Sequence, residues 1–217
     1  MANQPPPSTT AIIGPQYCAP ATRPIELIVI KERMGNNFTI RDINDNVIFI
    51  VKSSPETLFA TREDRFLYDA NGNPILHLRR MLQTADDSCW KAYRGESTEA
   101  KDYIFTRKRS SLFQLRTKLN VFLANNNTGD CDFVVVKADL FGESWKVLIG
   151  NSDNVVAQIN KKPRALFSRE KFMVTVCPNI DYAFIVALTV TLTSSSRNRP
   201  GSGTSGTSMS HGASSIF

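Results

Sequence analysis

Between Gln16 and Thr193 the dominant signal is a succession of short runs in which apolar and polar residues alternate, bounded by Asn, Asp or Gly. Period-two alternation marks strands with one buried face. Phe38 to Asp42 leads through Asn44-Asp45-Asn46 into Val47 to Val51. Asn and Asp tolerate positive φ, so a tight antiparallel hairpin is expected there. Phe66 to Asp69, Asn71-Gly72-Asn73 and Pro74 to Leu78 repeat the design, and Trp145 to Ile149 turns through Gly150 to Asn154 into Val155 to Ile159.

Cys89-Trp90-Lys91-Ala92-Tyr93-Arg94-Gly95 is echoed by Ser144-Trp145-Lys146-Val147-Leu148-Ile149-Gly150. One strand motif used twice suits a sheet that closes on itself and removes its exposed edges. The patterned region runs from Gln16 to Thr193. Residues 1–15, rich in Pro and Ser, and the Ser/Gly/Thr tract 194–217 have little to bury and are expected to be disordered.

The most apolar stretch follows Pro178, from Asn179 to Thr193. Its core of roughly 14 residues reaches about 21 Å as a helix, short of a hydrocarbon layer of about 30 Å. A buried core element is therefore expected rather than a membrane span. Asn179 or Asp181 suits a helix cap, whereas Ile185, Val186, Thr189, Val190 and Thr191 are equally at home in a buried strand. Residue type alone leaves helix and strand both open.

Composition narrows the setting. At 217 residues and 41% hydrophobic content, one domain with a sizeable core is expected. The first ten residues have neither the basic nor the apolar region of a secretory signal, and no lipidation motif occurs. Cys18, Cys89, Cys131 and Cys177 show no paired spacing, which fits reduced thiols in a cytoplasmic or nuclear setting. A net charge of +6 favours acidic partners.

Catalytic and metal motifs are absent from the sequence. His77 alternates with Ile75, Leu76 and Leu78 and is expected to face solvent; His211 lies in the tail. Glu63-Asp64 and Asp86-Asp87 read as solvated turn residues. The basic residues cluster at strand ends: Arg79-Arg80, Arg107-Lys108-Arg109, Lys161-Lys162 with Arg164, and Arg169 with Lys171. Two-residue spacing puts Arg107 and Arg109 on one strand face, where two guanidinium groups could grip a phosphate.

Several segments together resemble the plant LURP-one-related proteins, a group similar in fold to the tubby C-terminal domain and the phospholipid scramblases. They are Tyr17-Cys18-Ala19-Pro20, Phe38 to Val51, Trp90 to Gly95, Val121 to Ala124, Asp132 to Val135, Val156 to Ile159 and Asp181 to Leu188. The resemblance implies a mainly β fold: a closed antiparallel barrel of about twelve strands with the apolar C-terminal segment as a helix inside it. Thr193 to Arg197 departs from the family pattern, so the helix is expected to end early.

The resemblance, with the basic clusters, implies a non-enzymatic, cofactor-free, monomeric binding module rather than a catalyst. Its expected ligands are phosphoinositides or other anionic membrane lipids, held peripherally through Arg79, Arg80, Arg107, Arg109, Lys161, Lys162 and Arg164. A plant defence or stress-signalling role is implied with it. A membrane-tethered, nucleic-acid-linked regulator and a protein-interaction scaffold with a phosphorylated tail are the competing readings, distinguished by salt-dependent DNA binding and by tail deletion.

Overall fold

The computed structural model describes residues 10–33, 35–54, 62–82, 88–110, 118–139, 143–163 and 168–192. Its strands are β1 (Ile25–Lys31), β2 (Phe38–Asp42), β3 (Val47–Ser53), β4 (Arg62–Asp69), β5 (Pro74–Leu82), β6 (Ser88–Arg94), β7 (Tyr103–Arg109), β8 (Lys118–Leu123), β9 (Phe133–Lys137), β10 (Ser144–Ile149), β11 (Val155–Lys161) and β12 (Lys171–Val176). Each pairs antiparallel with its sequence neighbours, and β1 pairs with β12, so the barrel closes. The twelve-strand expectation holds.

The three expected hairpins form, and two share one device. Asp42 Oδ1 accepts the backbone N–H groups of Asn44 and Asn46, as Asp69 Oδ1 accepts those of Asn71 and Asn73. The side-chain amides of Asn46 and Asn73, then the backbone bonds, hold both carboxyls below the usual carboxylate range. The echo is structural as well: Gly95 and Gly150, at the matching turns, have φ of 59° and 52°. Glycine, lacking Cβ, enters that region without steric cost.

The apolar segment is helix α1 (Tyr182–Leu192), which settles the helix-or-strand alternative. Helix α1 is described to Leu192, the last of the described residues; Thr193 to Arg197, on which its expected early end rests, lie outside them. Every residue from Ala183 to Thr191 is buried, and the Phe184 ring meets Phe105 of β7 and Phe133 of β9, the two strands flanking β8, at centroid distances of 5.3 and 5.0 Å. A helix apolar all round needs such enclosure. Thr189 and Thr191 escape the cost of burial because their hydroxyls donate to the Ile185 and Leu188 carbonyls. Among the described residues no helix is long and apolar enough to cross a membrane.

The N-terminal boundary needs correction. Thr10 to Pro15, expected to be disordered, close the barrel end where α1 enters. Thr10 N–H donates to Asn179 O, Ile13 is 5% exposed, and Asp181 Oδ2 accepts the N–H groups of Ile12, Ile13 and Gly14 at 3.0, 2.7 and 3.1 Å. A sidechain 168 residues away supplies the acceptors, a long-range signal that local composition does not carry. Residues 1–9 and the tail 194–217 lie outside the described residues.

Candidate anion-binding end of the barrel

Antiparallel closure sorts the inter-strand connections alternately to the two ends of the barrel. At the end where α1 enters lie Asp42, Asp45, Asp69 and Asp153 in the β2–β3, β4–β5 and β10–β11 turns, with Glu96 and Glu99 after β6. At the end where α1 exits, Lys52, Lys108, Arg109, Lys162 and Lys171 are all exposed. No ion pair engages these five cations among the described residues. A seven-residue strand spans roughly 23 Å, well beyond the screening length of about 8 Å at physiological salt. Glu32, Asp139, Glu143 and Glu170 share the basic end and Arg23, Arg41, Arg94 and Lys101 the acidic one, so the two ends differ in net charge.

Inside the basic end sits a buried charge cluster that no strand-end reading anticipated. Phe105, Leu67 and Leu78 point inward, so alternation also turns Arg107, Arg65 and Arg80 toward the interior. Arg65 is fully buried and bonds Glu63 through Nε at 2.8 Å and Nη2 at 2.5 Å. It also donates to the carbonyl of Val190 and lies 4.9 Å from the Trp90 ring centroid. Arg107 Nη2 donates to Thr191 O at 3.5 Å. These two carbonyls belong to the last turn of α1, where the helix dipole is negative and water is excluded, so the arginines act as its C-terminal cap.

The predicted residues consequently part company. Arg107 is 3% exposed, which corrects the expectation that it joins Arg109 in gripping a ligand on an open strand face. The two share a side of β7, but only Arg109 lies beyond the interior. Burial first, then neighbouring Arg80, lowers the Arg107 pKa to about 9, a value that leaves it charged at neutral pH. Arg80 faces Glu63 at 3.4 Å, and Arg79, on the outer face, pairs with Asp64 at 2.9 Å. Lys161 pairs with Glu170 at 2.8 Å. Lys162 is exposed and makes no ion pair among the described residues; Arg164 lies outside them, as does Asp86-Asp87.

Glu63 and Asp64 lie within β4 rather than in a turn, each engaged by basic partners. His77 is 2% exposed, correcting its expected solvent exposure. It does face away from its apolar neighbours, but Phe66 stacks on it at 4.4 Å, and Nε2 lies 2.7 Å from Asp64 Oδ1 and Nδ1 3.0 Å from the Ser97 carbonyl. The contact to Ser97 is through its main chain. Burial raises the Asp64 pKa, but hydrogen bonds from Arg79 and His77 outweigh it and hold the carboxyl below its ordinary range. Aromatic residues near exposed cations, not evident in the sequence, also emerge: Tyr93, Tyr103 and Phe122 line an open outer groove with Lys91 and Lys108. Among the described residues no group of His, Cys, Asp and Glu has the arrangement of a metal site.

Comparison with known proteins places these observations. The sequence model of the family described as LURP-one-related matches residues 25–193. Protein LURP-one-related 10 of Arabidopsis thaliana is 43% identical over 190 residues, covering 84% of this chain and 94% of the relative. Protein LURP-one-related 15 of the same plant is 40% identical over 188 residues, covering 83% of each. An X-ray structure of an Arabidopsis thaliana protein matches with a TM-score of 0.63 at 37% identity, covering 84% of this chain and 96% of that one.

Proposed function

We infer that this chain, which belongs to the LURP-one-related family, is a non-catalytic binding module that docks the basic end of its barrel on anionic membrane lipids, phosphoinositides among them. The observation that carries the reading is the difference in net charge: exposed cations outside any ion pair among the described residues gather where α1 exits, and carboxylates outnumber cations where it enters. Family membership supports a place in plant defence or stress signalling, with the protein in the cytoplasm and peripheral at a membrane.

Each basic side chain near an anionic surface contributes about 1 kcal/mol. The five exposed cations therefore suffice for reversible attachment without insertion, and the sequestered helix is not needed. Replacing Lys108 and Arg109 together by Gln is expected to weaken binding to phosphatidylserine-containing vesicles by about 2 kcal/mol, roughly thirtyfold. Removing the same formal charge from the other end, with Arg23→Gln and Lys101→Gln, should leave binding within about twofold, because those positions lie beyond the screening length. Vesicle sedimentation at several salt concentrations reads both. Equal losses from the two double variants, or binding indifferent to salt, would exclude docking by the basic end.

A further inference from the structure

Arg80, Trp90 and Arg107 form a row across three neighbouring strands. Arg80 is the register partner of Trp90, and Trp90 that of Arg107. All three side chains point into the barrel near its basic mouth, and in each the Nε nitrogen (Nε1 in the indole) is buried with no hydrogen-bond partner. A buried polar group left unpaired is costly, and native proteins leave few. Three in one row is a concentration of idle donors.

Charge makes the case sharper. Glu63 is the carboxylate of this cluster, and both oxygens are already engaged, one by Arg65 and the other by Arg80. Among the described residues Arg107, 3% exposed, has no carboxylate partner; it donates to the Thr191 carbonyl. The cluster therefore holds more positive charge than it neutralises. That bond uses one Nη of Arg107, and the Glu63 contact uses one Nη of Arg80, so the Nε side of each guanidinium remains unused. The outer strands of the row are about 10 Å apart at the backbone, twice the strand spacing, and Trp90 stands between the two arginines. Arg80 is 18% exposed and connects the row to solvent.

We propose that Arg80, Trp90 and Arg107 form a seat for a phosphate group at the basic mouth of the barrel. Guanidinium groups match the planar pairs of oxygens on a phosphate, and the indole N–H adds a third donor. The proposal deepens the docking reading and rests on it for the source of the phosphate, a lipid headgroup, but not for the seat itself. A free phosphate would satisfy the same donors.

The test uses the full chain carrying Trp145→Phe, which leaves Trp90 as the remaining tryptophan reporter. Its fluorescence is titrated with inorganic phosphate and with soluble inositol trisphosphate, and the protein is sedimented with phosphatidylcholine vesicles containing either phosphatidylinositol 4-phosphate or phosphatidylserine. A saturable change in Trp90 emission is expected, weakened at least about tenfold by Arg80→Gln, with far-UV circular dichroism confirming that the variant folds. Preference for inositol trisphosphate and the 4-phosphate vesicles assigns the seat to a headgroup; an equal response to inorganic phosphate assigns it to the free ion. Both support the seat. No saturable response in the parent, or a response that Arg80→Gln leaves unchanged, overturns it. Loss of phosphatidylserine binding alone would defeat the docking reading and spare the seat; loss of phosphate binding alone would do the reverse.

Discussion

Replacing Asp181 by Ala is expected to destabilise the protein by about 4 kcal/mol, the scale on which a buried charged network fails when one partner is removed. Asp181 is fully buried and joins two parts of the fold. Oδ1 accepts the N–H of Phe184 at 3.1 Å and so caps α1, while Oδ2 gathers the three N–H groups that close the barrel's acidic end. Alanine leaves four donors without their acceptor at once. Burial raises the carboxyl's pKa, and the four hydrogen bonds offset that only in part, so the charge itself is not the main asset. Asp181→Asn retains one carbonyl acceptor without the desolvated charge and should cost about 2 kcal/mol. Urea unfolding of both variants at neutral pH measures the difference, and equal losses would show that charge, rather than acceptor geometry, holds the end closed.

The second large effect concerns the opposite end of the same helix. Arg65→Met keeps much of the side-chain volume but removes the guanidinium that bonds Glu63 and the Val190 carbonyl and lies against the Phe38 and Trp90 rings. A loss of about 3 to 4 kcal/mol is expected, since breaking a buried pair costs more than never having built one. The double variant Glu63→Gln with Arg65→Met should recover about 1 kcal/mol of this, because the carboxylate no longer lacks its main partner. Additive losses in a double-mutant cycle would mean that the pair is not coupled and that Arg65 acts only through packing.

Much of the architecture could be read from residue order. The Asp-x-Asn-x-Asn turns at Asp42 and Asp69, the apolar alternation of β2 to β5 and the repeated Trp-Lys segment all declare hairpins, because local hydrogen bonding and side-chain alternation determine them. The length of the Ala183 to Leu192 run argued against a span, while its helical state needed the family resemblance, since β-branched residues fit either form. The site was less legible. Basic residues were grouped by their nearness to strand ends, and that grouping ignores which side of the wall a side chain occupies. Phe105 two positions before Arg107, and Leu67 two after Arg65, carried the missing signal: alternation places each arginine on its apolar neighbour's inward face. His77 was placed on the correct side of β5, but Phe66 and the segment around Ser97 cover it, and such cover depends on neighbouring strands. The charge separation was also present in the sequence. Carboxylates recur in the β2–β3, β6–β7 and β10–β11 connections and basic residues in the β7–β8 and β11–β12 ones, although Asp86-Asp87, Asp139 and Glu143 break the alternation, and the pattern acquires meaning only once antiparallel pairing sends the connections to opposite ends.

The account turns on which end of the barrel meets the anionic surface, and paramagnetic relaxation measures that orientation directly. Isotope-labelled protein would be bound to phosphatidylserine nanodiscs carrying a spin-labelled lipid headgroup. Amide signals of Lys108, Arg109 and Lys162 should broaden, while those of Asn44, Asn71 and Gly95 keep their intensity. Broadening at the Asn44 and Asn71 turns, or a spin label in the acyl chains that reaches Ala183 to Val190, would contradict it.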